Sequence, residues 1–480
     1  MAVITGIGSY VPQFRLSGTT IARAVGWVNP SMYSKGFKAV ASWDEDPVTM
    51  GVEAVRDLQK KIGREELLKV KAVLFVSTTA PFQERPAAHI IAAALDLPEE
   101  IEALDITDSP NLFLEAIVTA GDKADARGKP VLVIGAEARK GKPGSAADYI
   151  YGDGAAAVLV SPKGDGLRIV DHASISKDFV DHWRGQGEVF DRAWEDRWIR
   201  DAGFVPFMTE VIKALSSTTK PEILVLPDLY VRDLKRIAKS AGFPVEGIAP
   251  PLISEIGYTG NPQPLLLVSQ IASQISPHLK VLIAGYGYGG SGVLIQATEG
   301  YNPVYFTGIK EQVSQMKELD SYTKYAVSRE LCTAEKGIRG ESQAPTALSL
   351  LYRRRREVFG LVGTRCKVCN TPQFPPQRVC VNPQCRAVDQ MEPYRFADLN
   401  ATVFSFTEDN LAYTPQPPAI YALVDFDGGG RFWFDVADAG PGEVRVGSRV
   451  KMVFRLRYID KDRGLKGYFW KAKLAGGSNG

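Results

Sequence analysis

Residues 279–296, LKVLIAGYGYGGSGVLIQ, decide the fold. They read as a buried strand over 281–284, a glycine-rich turn, and a second strand over 292–296. The same succession occurs earlier in the chain. KPVLVIGAEA (129–138), with a strand over 130–135, is followed by GDGAAAVLVS (152–161), with a strand over 155–161. Upstream of each pair, AVLFVST (72–78) and EILVLPD (222–228) hold corresponding places. Matched order in two halves marks an internal duplication. Helical patterns over 50–60, 87–95, 112–126, 230–240 and 265–275 alternate with these strands. The expectation is an α/β chain with a duplicated layered fold and a pseudo-twofold axis.

At 480 residues the chain is too long for one ordinary core. The composition, 45% hydrophobic and 23% charged, is that of a soluble globular protein. No apolar run reaches the ~18–20 residues of a membrane span. The opening MAVITGIGSYVP lacks the basic and apolar regions of a signal peptide. A net charge of +2 gives no case for bulk electrostatic binding of nucleic acid. A cytoplasmic protein with neither a nucleic-acid nor a membrane partner is expected.

Four of the five cysteines fall between 366 and 385, and Cys332 stands alone. This is not a secreted disulfide framework. Cys366-Lys-Val-Cys369 and Cys380-Val-Asn-Pro-Gln-Cys385 have the spacing of a zinc ribbon. Four thiolates around one tetrahedral ion leave no open position, so the expected zinc is structural. Before the ribbon, TALSLLYRRRREVF (346–359) reads as an amphipathic helix whose arginines favour its C-terminal end. After it, residues 395–474 carry several short strands and turn signals such as FDGGGR, the pattern of a small barrel. Its aromatics (Phe404, Phe406, Phe432, Trp433, Phe434, Phe469, Trp470) have the type that stacks on bases, but strand spacing favours core positions.

Residues 1–300 resemble 3-hydroxy-3-methylglutaryl-CoA synthase of the archaeal type, which has the thiolase-like fold. The likeness runs through GIGSYVPQFRL, EDPVTMGVEAVRDL (45–58), GAEARKGKPGSAADYIYGDGAAAVLV (135–160), KDFVDHWRGQG (177–187), IAKSAGF (237–243) and AGYGYGGSG (284–292). Residues 346–475 resemble the zinc-ribbon plus OB-fold proteins that accompany thiolase-like enzymes. The resemblance implies thiolase-like halves over 1–165 and 166–300, a connector over 301–345, a helix and zinc ribbon over 346–392, and an OB-fold over 393–480. It also implies a CoA thioester as substrate and a homodimer.

The synthase pattern carries a cysteine nucleophile, a histidine and a glutamate. In this sequence the cysteine position, in IEALDITDSPNLF (101–113), reads as Ser109. The histidine position reads as Val225 and the glutamate position as Thr79, with Glu84 close by. A serine is a poor nucleophile at neutral pH without a base in contact. Enolate chemistry needs polarising donors and an acid/base but no covalent nucleophile. The favoured expectation is therefore aldol or retro-aldol chemistry on an acyl-CoA. A synthase-like acyltransferase and a non-catalytic acyl-CoA scaffold for a separate thiolase are the alternatives.

Tyr258, Tyr286 and Tyr288 stand where the parent fold keeps polar catalytic groups, and are the candidate acid/bases. Asn261 is the candidate oxyanion donor, together with the backbone of Gly287, Gly289 and Gly290. Asp108 and Ser109 are expected to line the pocket. Lys140 and Lys142 are candidates for the CoA phosphates, and His89 is a further candidate for substrate binding.

Overall fold

The computed structural model describes residues 2–26, 36–217, 220–335 and 346–476. They form two compact units. The first comprises Met1–Ala41, Asp46–His89 and Pro98–Tyr325, and the second Ser42–Glu45, Ile90–Leu97 and Ala326–Gly480.

In chain order the strands of the first unit are β1 (Val3–Tyr10), β2 (Phe14–Ser17), β3 (Phe37–Val40), β4 (Ala72–Val76), β5 (Glu102–Ile106), β6 (Val131–Glu137), β7 (Gly154–Ser161), β8 (Leu167–Ser176), β9 (His182–Trp183), β10 (Arg192–Ala193), β11 (Ile223–Val225), β12 (Lys280–Tyr286), β13 (Gly289–Ala297) and β14 (Lys317–Glu318). Nine of them make one sheet in the order β11-β12-β13-β8-β1-β7-β6-β4-β5. The duplication is visible in its ladders. β1 is antiparallel to β7, β7 to β6, and β6 is parallel to β4. In the second half β8 is antiparallel to β13, β13 to β12, and β12 is parallel to β11. The first half adds β5, parallel to β4. Its counterpart is reduced to one parallel bridge, Leu224 to Ile248. The halves join where β1 meets β8 at Val3–Arg168 and Ile4–Leu167.

Helices complete the layers. Pro47–Ile62 packs on β1, β6 and β7, and Val205–Ser216 packs on β8, β12 and β13. Leu112–Arg127 touches strands of both halves, as does Gln263–Ile271, so this pair lies between the half-sheets. Every residue of β4, β6 and β7 is buried, as strands covered on both faces require. Pro47–Ile62 starts at a reciprocal Asp46–Thr49 capping box with proline in its first turn. Leu112–Arg127 stops at Gly128, whose φ of +63 suits a residue without Cβ.

Three local readings of the sequence are corrected. The pattern over 230–240 begins as a 3-10 turn, Asp228–Asp233, in which Tyr230 leaves helical geometry (φ −118, ψ 68). Only Leu234–Ser240 is α-helical. Residues 301–325, expected to be polar connector, are part of the first unit. Tyr301, Phe306, Ile309, Val313 and Met316 enter its core, and β14 pairs with β2. The tail of that connector, 336–345, lies outside the described residues. Finally, the single helix expected over 346–359 is two short ones, Leu348–Arg353 and Arg355–Val358. Arg354, at φ −110 and ψ 24, separates them, and Leu348, Leu350 and Tyr352 are exposed.

In the second unit, β15 (Val362–Cys366), β16 (Pro372–Gln373) and β17 (Met391–Arg395) form the ribbon sheet in the order β16-β15-β17. Five further strands, β18 (Asn400–Asp409), β19 (Ala419–Phe426), β20 (Arg431–Ala437), β21 (Arg449–Asp460) and β22 (Leu465–Leu474), close a barrel in the order β18-β19-β20-β22-β21. Phe434 and Trp470 are core residues, whereas Phe404 and Trp433 are exposed. Arg455 is fully buried and paired with Glu45 and Asp438.

Candidate functional site

Ser109 sits in the turn that leads from β5 into the helix Leu112–Arg127. Asp108 takes φ +88 there, a conformation unfavourable for a residue with a Cβ. Asp108 is exposed and Ser109 half-buried. The Ser109 hydroxyl donates to the Gly287 carbonyl at 3.3 Å and accepts from the Asn111 N–H at 3.3 Å. Neither partner is a base. A Cβ on Gly287 would lie 3.0 Å from the Ser109 Oγ and 2.9 Å from Pro110, so the close approach of the two turns requires glycine. Among the described residues, the backbone N–H groups of Ser109 and Tyr288 donate to no protein acceptor.

Asn261 is 1% exposed. Its amide nitrogen donates to the Ser109 carbonyl at 3.0 Å and to the Glu137 carboxylate at 2.7 Å, and its oxygen accepts the Phe113 N–H at 3.2 Å. Both amide protons are thus spent within the protein. The expectation of Asn261 as an oxyanion donor is corrected: it positions the turn. Glu137, fully buried on β6, also accepts from the Thr78 N–H and hydroxyl and from the Thr79 hydroxyl. Burial holds the Glu137 carboxyl above the usual carboxylate range, against the pull of Arg139 and these donors. Gly289 and Gly290 are strand residues of β13, in register with Ser176 and Ile175, and the Gly287 N–H is taken by the Gly289 carbonyl at 3.3 Å. The glycine-rich loop therefore contributes shape, not the three free donors expected of it.

A charged and aromatic cluster lies beside this turn. Arg139 is buried, pairs with Asp191, and stands 4.2 Å from the Tyr151 ring centroid. Arg184 bonds Asp191 at 3.0 Å and donates to the Thr78 carbonyl. Tyr258 bridges Tyr151 through the backbone and is 5% exposed. Burial pushes the Tyr151 hydroxyl up to about 12 and raises that of Tyr258, with Arg139 opposing in both. Burial and the Asp181 carboxylate likewise raise Tyr286, whose ring is in the core. Tyr288, at φ +51, is half-buried and donates to the His182 carbonyl at 2.5 Å. Its hydroxyl too is raised by burial.

The structure thus gathers Tyr258, Tyr286, Tyr288, Asn261, Ser109 and Gly287 around one turn. Lys140 follows Arg139 at the edge of the cluster, and Lys142 is exposed in the loop beyond β6. His89 is exposed on the helix Ala87–Ala94 and makes none of the cluster's hydrogen bonds. Val225 is fully buried in the core. Glu137, Arg139, Asp181, His182 and Asp191 were not singled out by sequence reasoning. The signal available was charge in otherwise apolar or glycine-rich surroundings, as in GAEAR (135–139) and VDHW (180–183).

In the second unit the sulfurs of Cys366, Cys369, Cys380 and Cys385 lie within 4.8 Å of one another. Cys366–Cys385 are 3.8 Å apart and Cys369–Cys380 are 3.5 Å apart. Zinc–thiolate bonds of about 2.3 Å imply tetrahedral edges of about 3.8 Å, so the donor set fits zinc.

Residues 356–392 match the family model of the ChsH2 rubredoxin-like zinc ribbon domain, and 394–455 that of the ChsH2 C-terminal OB-fold domain. The hydroxymethylglutaryl-CoA synthase of Thermococcus gammatolerans is 28% identical over 342 residues, spanning 68% of this chain and 95% of that protein. That of Pyrococcus furiosus is 27% identical over 330 residues, spanning 67% and 91%. Over its N-terminal part the chain is a homologue of hydroxymethylglutaryl-CoA synthases. A solved HMG-CoA synthase complexed with CoA superposes with a TM-score of 0.61 at 14% identity, covering 72% of this chain and 94% of that one. FabH of Pseudomonas aeruginosa, a 3-oxoacyl-(acyl carrier protein) synthase III, gives 0.54 at 20% identity, covering 63% and 99%. These likenesses show a thiolase-like fold in the synthase-related part, followed by a zinc ribbon and an OB-fold. No described helix is long and apolar enough to cross a membrane.

Proposed function

We propose that the chain makes or breaks a carbon–carbon bond on a CoA thioester, by aldol or retro-aldol chemistry without an acyl-enzyme intermediate. Its hydroxymethylglutaryl-CoA synthase relatives support chemistry on acyl-CoA in general. One observation carries the finer reading: the Ser109 hydroxyl touches only a backbone carbonyl and a backbone N–H. An oxygen nucleophile needs an adjacent base or a lowered pKa, and among the described residues no base contacts the Ser109 hydroxyl. Val225, where the synthase pattern has its histidine, is buried in the core and has no proton-accepting group.

The thioester oxygen of an enolate would be held by the N–H groups of Ser109 and Tyr288, fixed donors that need no reorganisation. Tyr258 and Tyr286 serve as hydrogen-bond donors and not as bases, because burial raises both hydroxyls. Lys140 and Lys142 are assigned to the CoA phosphates. A homodimer is proposed from the likeness to thiolase-like enzymes. The zinc holds the ribbon together and takes no part in the chemistry, since four thiolates leave it no open position.

The test is to incubate the purified full-length chain with a panel of β-hydroxyacyl-CoA and β-ketoacyl-CoA esters and follow products by mass spectrometry. Cleavage of a β-hydroxyacyl-CoA by the chain alone supports the proposal. Binding without turnover, with cleavage appearing only when a cysteine-bearing thiolase is added, identifies a scaffold instead.

A further inference from the structure

We infer that Asp181 and His182 form the acid/base dyad of this site, with the His182 Nε2 as the atom that accepts and returns the proton. The inference rests on the carbon–carbon reading above and supplies the base that the tyrosines cannot provide.

Asp181 is 2% exposed. Its carboxylate takes the His182 ring Nδ1 at 2.6 Å and the His182 backbone N–H at 2.6 Å. No lysine or arginine lies within ion-pair distance of it among the described residues. The imidazole Nδ1 is therefore the one side-chain nitrogen at hydrogen-bond distance from this buried carboxylate among the described residues, and isolated buried carboxylates are costly. Burial raises the Asp181 carboxyl and the His182 bonds outweigh it, leaving it below its ordinary range. A carboxylate on Nδ1 fixes the tautomer with Nδ1 protonated and the Nε2 lone pair outward. Among the described residues Nε2 has no protein partner, and the side chain keeps 18% of its exposure.

The dyad is anchored to the turn already described. The His182 ring stacks on Tyr288 at 5.1 Å, and the Tyr288 hydroxyl holds the His182 carbonyl. Tyr288 follows Gly287, whose carbonyl takes the Ser109 hydroxyl. Two residues beyond His182, Arg184 reaches Thr78, which binds Glu137, which binds Asn261. The backbone is pinned as well: β9, which contains His182, pairs with β10, and Trp194 N–H donates to the Asp181 carbonyl at 3.0 Å. The charged and titratable groups around the dyad include Tyr151, Tyr230, Tyr258, Tyr286, Tyr288, Asp191, Arg139 and Arg184.

In the cleavage direction, Nε2 takes the proton of the β-hydroxyl. The C2–C3 bond breaks, C3 becomes the carbonyl carbon of the released aldehyde or ketone, and the electron pair passes to C2 and the thioester oxygen. The imidazolium then gives its proton to C2, leaving a shortened acyl-CoA. Atoms and charge balance with no further reactant.

Two readouts on the full-length chain test this. First, His182→Gln and Asp181→Asn are compared with wild type for kcat and for Kd for acetyl-CoA. The dyad predicts that His182→Gln lowers kcat by 10²-fold or more and leaves Kd within about threefold; Asp181→Asn, which frees the tautomer, falls between. Second, carbethoxylation of His182 by diethyl pyrocarbonate is followed by peptide mass spectrometry in wild type, where no variant has to fold. Saturating acetyl-CoA is predicted to slow it at least tenfold. Turnover that survives His182→Gln within threefold, or carbethoxylation indifferent to acetyl-CoA, overturns the dyad and leaves the reaction standing. Wild type inert on every thioester overturns both.

Discussion

The side-chain amide of Asn261 donates to the backbone carbonyl of Ser109 at 3.0 Å, across 152 residues of sequence. The second amide proton goes to Glu137 and the oxygen to the Phe113 N–H, so one buried residue ties β6 to both sides of the Ser109 turn. Asn261→Ala leaves a buried carboxylate, a carbonyl and an N–H each short of a partner. It is expected to cost about 1–3 kcal/mol of stability and to lower kcat by displacing the Ser109 turn. Urea unfolding and steady-state kinetics of the same preparation check both.

Ser109→Ala removes a hydroxyl bonded only to backbone. The predicted kcat for β-hydroxyacyl-CoA cleavage stays within about threefold of wild type, since enolate chemistry needs no covalent nucleophile there. A fall of a thousandfold or more marks Ser109 as a nucleophile.

Asp228 accepts the N–H groups of Leu252 and Ile253 at 2.7 and 2.8 Å and the Gln263 amide at 2.8 Å, and it is fully buried. Burial nevertheless pushes its carboxyl up to about 6. The folded state then binds a proton that the unfolded state, near 3.8, has already released. This group's contribution is complete below the unfolded pKa and declines as pH rises toward about 6, by about 3 kcal/mol in all. Asp228→Asn is predicted to remove that decline. Urea denaturation of both proteins between pH 4 and 7 reads the difference, which should grow through this window and level off above it.

Cys380→Ser removes one of four thiolates whose folding and metal binding are coupled. One zinc per chain is expected in wild type by elemental analysis, and well under half of that in the variant. A chelator strong enough to strip wild type should melt the ribbon. The first unit should keep its thioester turnover if the zinc is structural.

Much of the first unit was legible because its central strands are buried on both faces. AVLFV, VLVIGAE and GAAAVLVS are apolar runs that no half-exposed strand would carry. The ribbon was legible because four cysteines at that spacing have few other uses. Residues 301–325 were not, because their apolar side chains are spread among polar ones and only packing reveals Phe306 and Ile309 as core. The site was half legible. Tyr286, Tyr288 and Ser109 stood out by position, but the saturation of Asn261 depends on Glu137, 124 residues away. Asp181 and His182 are neighbours in sequence, yet their place beside the turn depends on Tyr288, 106 residues from His182. Burial, which raises the tyrosine hydroxyls and leaves them hydrogen-bond donors, has no counterpart in local sequence.

The most direct test of the central claim is intact-protein mass spectrometry of the chain quenched during turnover of a β-hydroxyacyl-CoA. Carbonyl product and shortened acyl-CoA are predicted to accumulate while the protein keeps its unmodified mass throughout. An acyl adduct that maps to Ser109 and decays as product forms would contradict it.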